Sequence, residues 1–155
     1  MLQGLAIGIG ATIVLDLWNL LLNRLLGIPL PNWAMVGRWF RHLFRGRFVH
    51  KDISRAEPVA QELVWGWAFH YAVGASFGLA TVALGGPGWL ANPTLFPPMA
   101  IGLGTVLLGW LVLAPGMGAG LAARLRPNAG RIRLLNLIAH ALFGLAMYAF
   151  ARLLS

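Results

Sequence analysis

Asp16, His70 and His140 are ionisable side chains set inside stretches of sequence that are otherwise almost free of charge. An ionisable group in such surroundings is costly unless it is paired or used, which makes each a functional-site candidate. One carboxylate and two imidazoles are suited to passing protons, to holding a polar solute or to ligating a metal. Helical spacing puts further polar or small residues beside each. Thr12, Asn19 and Asn23 share a stripe with Asp16; Gly66, Gly74 and Gly78 share one with His70; Asn136, Gly144 and Tyr148 share one with His140. Another apolar stretch carries "PGMGAG" (115–120). There Pro115 removes a backbone donor and Gly116 loosens the turn, which predicts a broken helix whose freed carbonyls face the same interior.

Three chemistries fit this set. In the first, Asp16 exchanges protons while His70 and His140 relay them, or hold a small solute together with Asn19, Asn136 and Tyr148. In the second, His70 and His140 are axial ligands of a haem, with Gly74 and Gly144 leaving room for the ring, or they bind a transition metal with Asp16 and Met117, whose sulfur suits copper. The third is acid–base catalysis on a lipid or quinone. It ranks last: no nucleophile triad is evident, the chain has no cysteine, and no catalytic residue is assigned. A purely structural role competes with all three, Asp16 bonding to a histidine or asparagine and so setting helix register. "PGMGAG" lacks the strand–helix context of a phosphate loop and is not read as one.

The elements that must position these residues are apolar. Of 155 residues, 59% are hydrophobic and 10% charged. A soluble domain carries roughly 25% charged residues, so this chain cannot cover a water-facing surface. Four stretches, about 2–26, 58–84, 98–123 and 134–154, approach or exceed the ~20 residues that cross a bilayer as a helix. Strict alternation is absent, which excludes a membrane barrel. The expectation is an all-α, four-transmembrane-helix bundle forming a single integral membrane domain over 1–155, made of two consecutive helical hairpins. "GIGATIVL" (8–15) resembles "GLGTVLLG" (102–109), and "HYAVG" (70–74) resembles "HALFG" (140–144), as in a parallel repeat. At 1.5 Å per residue, Asp16, His70, His140 and Pro115 each lie about 10–15 Å from the basic end of their span, that is, at one level.

Charge sets the direction. Loops 27–57 and 124–133, with Arg24 beside them, hold eleven of the twelve Lys and Arg residues; the loop between spans two and three holds none. The positive-inside rule then places both termini outside and both basic loops in the cytoplasm of a bacterial inner membrane. It also accounts for the net charge of +8 without nucleic acid as a partner. The opening segment lacks a basic start and a small-residue cleavage site, and is expected to stay as the first helix. Within loop 27–57, "NWAMVGRWFRHLF" has an apolar face of Trp33, Val36, Trp39, Phe40, Leu43 and Phe44, opposite Arg38, Arg41, His42 and Arg45. It reads as an amphipathic helix capped by Asn32 and lying in the headgroup layer, where Arg38, Arg41 and Arg45 would meet anionic lipid. His42 and His50 are expected to be solvated. Ser54 and Glu57, at capping-box spacing, would open the second span at Pro58. Trp33, Trp39, Trp65, Trp67 and Trp89 are expected in the interfacial belt, Trp18 and Trp110 in the packing. Four helices are few for a transporter, so a homodimer is the expected partner state.

The segments "GIGATIVLDLW", "GRW" (37–39), "RGRFVH" (45–50), "GWAFHY" (66–71), "PGMGAG" and "HALFG", in this order over nearly the whole chain, resemble the bacterial inner-membrane proteins grouped as domain of unknown function 2938. That resemblance implies a four-helix integral membrane protein. It brings no activity, cofactor or catalytic residue.

Overall fold

The structure, a computed structural model, describes residues 1–155 and contains helices and no strand. The principal helices are α1 (Leu2–Leu26), α2 (Trp33–Leu43), α3 (Glu62–Gly85), α4 (Phe96–Gly116) and α5 (Ala129–Leu153). α1, α3, α4 and α5 are each long and apolar enough to cross a membrane. Contacts group the residues into two compact units. One comprises Met1–Leu30, Tyr71–Thr105 and Leu137–Ser155; the other comprises Pro31–His70 and Val106–Asn136.

In the first unit four helical segments pack together because small residues let their backbones meet. A methyl group on Gly8 would strike the Gly74 carbonyl, one on Gly74 the Thr12 hydroxyl, and one on Gly78 the Gly4 carbonyl, so α1 and α3 touch backbone to backbone. Gly102 and Gly144 bring α4 and α5 together in the same way. These pairs occupy matching places in the two internal sequence repeats. Gly10 receives the ring of Phe150, and Gln3 Nε2 donates to the Leu154 carbonyl at 2.9 Å, joining α1 to α5. Ile7, Ala11, Trp89, Phe143, Met147 and Ala151 form the core of the unit. α1 stops at Gly27, whose φ of 63° permits the left-handed cap that an ordinary side chain disfavours.

The second unit contains α2, the start of α3, the end of α4 and the chain after it. Asn32 caps α2 as expected, accepting from Met35 N at 3.2 Å. The expected opening of the second span at Pro58 is corrected. Asp52, not Glu57, accepts from Ser54, and Gln61 takes a positive φ of 57°, so α3 begins at Glu62. The third span also ends early. Pro115 offers no N–H, and Gly109–Leu113 widens to a π turn in which Ala114 N–H reaches back five residues to Gly109. Gly118 and Gly120 then take positive φ, and the helix stops at Gly116 instead of continuing to 123. Two carbonyls at the helix end are taken up by the basic loop. Gly116 O accepts from His50 N at 2.9 Å and Met117 O from Ile53 N at 3.2 Å, so the basic loop is stitched to the end of α4.

Gly8→Ala is expected to destabilise by about 1–3 kcal/mol, because its methyl meets backbone that cannot move aside. Gly104→Ala, which faces open space, should change stability by less than about 0.5 kcal/mol. Thermal unfolding of the two variants in one detergent measures the contrast.

Candidate functional site

Asp16 is half-buried on α1, and its Oδ2 accepts a hydrogen bond of 2.9 Å from the Tyr71 hydroxyl on α3. Tyr71 is one residue past His70, about 100° round the helix from it. Helical spacing does not put it on the His70 stripe, but a phenol within an apolar helix requires a polar partner, and that is the signal its sequence carries. Thr12, on the expected stripe with Asp16, donates to Gly8 O at 2.8 Å. Asn23 bonds instead to Ile28 O at 2.9 Å and finishes its own helix end. Asn19 and Asn136 are half-buried on α1 and α5.

His140 uses Nδ1 on a backbone acceptor. Gly102 O lies 3.0 Å away, and the Thr105 hydroxyl is at 3.4 Å. A carbonyl only accepts, so Nδ1 carries the proton and Nε2 is left with its lone pair when the ring is neutral. Tyr148, one expected neighbour of His140, accepts from Arg152 at 3.2 Å at the end of α5. Ring space for a haem, expected beside Gly74 and Gly144, is already filled. Thr12 occupies the first position, and Met99 with the Pro98 carbonyl occupies the second. No three or more His, Cys, Asp or Glu side chains gather at metal-binding range.

In the second unit His70 stacks on Trp33, with ring centroids 3.9 Å apart, and meets the edge of Trp67 at 5.8 Å. Trp33, expected in the interfacial belt, is therefore the platform for a candidate histidine. Trp39 and Trp89, expected in the same belt, also have partners in the protein. Both are buried, donating to Phe48 O and to the Thr94 hydroxyl at 3.0 and 3.2 Å.

The face of α2 expected to meet lipid headgroups is turned inward at two positions. Arg38 is 6% exposed and His42 is 0%. Arg38 grips Glu62 with Nε and Nη2, each at 2.9 Å, while Nη1 donates to the carbonyls of Ile53, Ser54 and Ala56 at 3.1–3.2 Å. Its guanidinium is thus satisfied by the protein, and Glu62 raises its pKa against the opposing effect of burial. A methyl on Gly37 would strike the Glu62 carbonyl and one on Gly66 the Trp33 carbonyl, so α2 lies directly against α3 there. Arg41 spreads over the Trp65 ring at 4.6 Å. His42, expected to be solvated, places Nδ1 2.8 Å from His50 Nε2. Burial, then the nearby His50, lowers its pKa; hydrogen bonding to the Glu57 backbone favours the proton, and Arg45 and Arg47 disfavour it.

Four membrane-length apolar helices, with polar side chains bonded to one another and to backbone inside them, define a multi-pass helical membrane protein. The chain belongs to the family described as protein of unknown function (DUF2938), whose sequence profile matches residues 5–154. No curated protein and no solved structure is significantly similar to it.

Removing one partner of a buried ion pair strands the other, at a cost of about 3–5 kcal/mol. Arg38→Ala and Glu62→Ala are each expected to cost that much, and the double variant less than their sum. Arg38→Lys should recover only part of the loss, because three donors on a point charge cannot reproduce five in a fork. Unfolding in detergent followed by far-UV circular dichroism measures the cycle.

Proposed function

We propose that this protein sits in the bacterial inner membrane with both termini outside, and that it handles protons, or a small solute moving with them, at Asp16. The observation that carries this reading is the Asp16–Tyr71 pair. A carboxylate within an apolar helix accepts from a phenol on another helix, and each of the two can gain or lose a proton. Intramembrane carboxylates mark ion and proton paths in membrane proteins generally. His140 adds a second titratable group, and its Gly102 bond leaves Nε2 free of a proton in the neutral ring. Orientation follows from charge. Arg45, Arg47, Lys51, Arg55, Arg124, Arg126 and Arg131 are all exposed on the second unit, and they suit the cytoplasmic face and its anionic lipids.

A specific observation favours a second reading, a structural polar core. Asp16, Thr12 and His140 each have a protein partner at hydrogen-bond distance. One experiment separates the two. Purified protein in liposomes, with an internal pH-sensitive dye and valinomycin to clamp the potential, should pass protons down an imposed gradient faster than empty liposomes. Asp16→Asn should return the rate to background, and Tyr71→Phe, which removes one hydrogen bond to a charged group, should slow it by about tenfold. Wild-type protein that is folded yet no faster than empty liposomes sinks the proton-handling reading. Variants that differ from wild type only by a lower melting temperature leave the structural one. For orientation, alkaline phosphatase fused after Ser155 should be active, and fused after Asn128 inactive.

A further inference from the structure

His42 and His50 form a hydrogen-bonded chain whose proton positions the geometry dictates. His50 Nδ1 lies 3.1 Å from Gly116 O, and a carbonyl only accepts, so Nδ1 carries a proton. In neutral His50 the other nitrogen, Nε2, is then a bare acceptor. The 2.8 Å contact to His42 Nδ1 therefore requires His42 to donate. Neutral His42 is left with a bare Nε2, and that atom is buried without a hydrogen-bond partner. The chain runs from His42 Nδ1–H to His50 Nε2, and from His50 Nδ1–H to the Gly116 carbonyl.

An added proton has no good place in this arrangement. On His42 Nε2 it puts a charge on a ring that is 0% exposed and in contact with His50. On His50 Nε2 it sets one N–H against another, unless His42 changes tautomer and accepts at Nδ1. The charged surroundings sharpen the problem. Arg45 and Arg47, from the same loop, repel a charge on His42, whereas the Glu57 backbone favours one. From α3 comes Glu62, whose carboxylate is already gripped by Arg38 through two bonds. The Glu57 carboxylate is exposed and 3.6 Å from Arg45. From the end of α4 comes only a carbonyl, since residues 106–123 contain no ionisable side chain.

We propose that the His42–His50–Gly116 chain is an acid-opened latch: proton uptake by the imidazole pair parts the basic loop from the broken end of α4. In the neutral form three bonds close it, two from His50 to Gly116 O and one from Ile53 N to Met117 O. Gly118 then fits under the Lys51 carbonyl only because it has no side chain. Protonation breaks none of these bonds directly; it places a charge on the buried His42 ring, and parting the loop from α4 returns that charge to water. Burial holds the His42 pKa below its ordinary value of 6.5, so the closed form is fully stable above that value and loses stability as pH falls below it.

The test is hydrogen–deuterium exchange of the full-length protein in nanodiscs at about pH 7.5 and about pH 5, corrected for intrinsic exchange, read on peptides covering 48–54 and 116–121. Wild type should lose protection of the His50 and Ile53 amides by roughly tenfold or more on acidification. His42→Asn keeps a donor or acceptor where Nδ1 stood and has no second nitrogen to protonate, so it should stay protected at both pH values. Wild-type protection that does not change with pH overturns the proposal, as does His42→Asn opening to the same extent as wild type. Should that variant fail to fold, ¹⁵N-histidine spectra of the wild type decide. Two Nδ1–H tautomers at about pH 7.5 that convert together on acidification support the latch, and two rings that stay neutral to about pH 5, or titrate independently, overturn it.

Discussion

A backbone carbonyl released by a broken helix, in a segment too apolar to offer water, has to find a donor. At the end of α4 the protein meets that requirement with its own basic loop. The stop at Gly116, with Gly118 and Gly120 at positive φ, leaves Gly116 O and Met117 O without helical donors, and His50 and Ile53 supply the N–H groups. The course of residues 44–57 follows from this. His50 must reach Gly116, His42 must then lie behind His50, and Arg38, one helical turn before His42 on α2, faces the carbonyls of Ile53, Ser54 and Ala56. A basic loop that composition alone would leave as a topological signal is therefore an ordered, largely self-satisfied structure.

The same economy of polar groups governs the first unit. Thr12 bonds within its own helix, His140 takes the Gly102 carbonyl, and Asp16 takes the Tyr71 hydroxyl. Glycines make this feasible, since the helices must be near enough for short side chains to reach across. The Gly8–Gly74 and Gly102–Gly144 contacts also fill the space in which a flat cofactor had been expected, with Thr12 in one and Met99 in the other. Packing thus occupies the places beside Gly74 and Gly144 where a flat cofactor would lie.

Amphipathic pattern proved a poor guide to orientation on α2. Its spacing separates Trp and Phe from Arg and His, and in water or at a headgroup layer the charged side would face outward. Yet Arg38 and His42 are buried while Phe44 is 70% exposed. A membrane protein has no general rule that polar means outside; in apolar surroundings a polar face is stabilised by turning toward other polar groups. Glu62 at the start of α3 and the carbonyls of 53–56 provide them, and neither is near Arg38 in sequence.

Four helices, the first helix bounds at 2 and 26, the Asn32 cap and the placement of ten basic residues in segments 27–57 and 124–133 were legible in the chain itself, because each depends on local composition or on spacing within one element. The site residues were legible only as types. That Asp16 would meet Tyr71, that His70 would stack on Trp33, and that His42 would face His50 and through it Gly116 depended on which residues far apart in the chain become neighbours. Local periodicity reports how a residue is turned about its own helix axis. Only the tertiary structure decides what stands opposite, because that is set by the close approach of glycines and by the demand of every buried donor and acceptor for a partner.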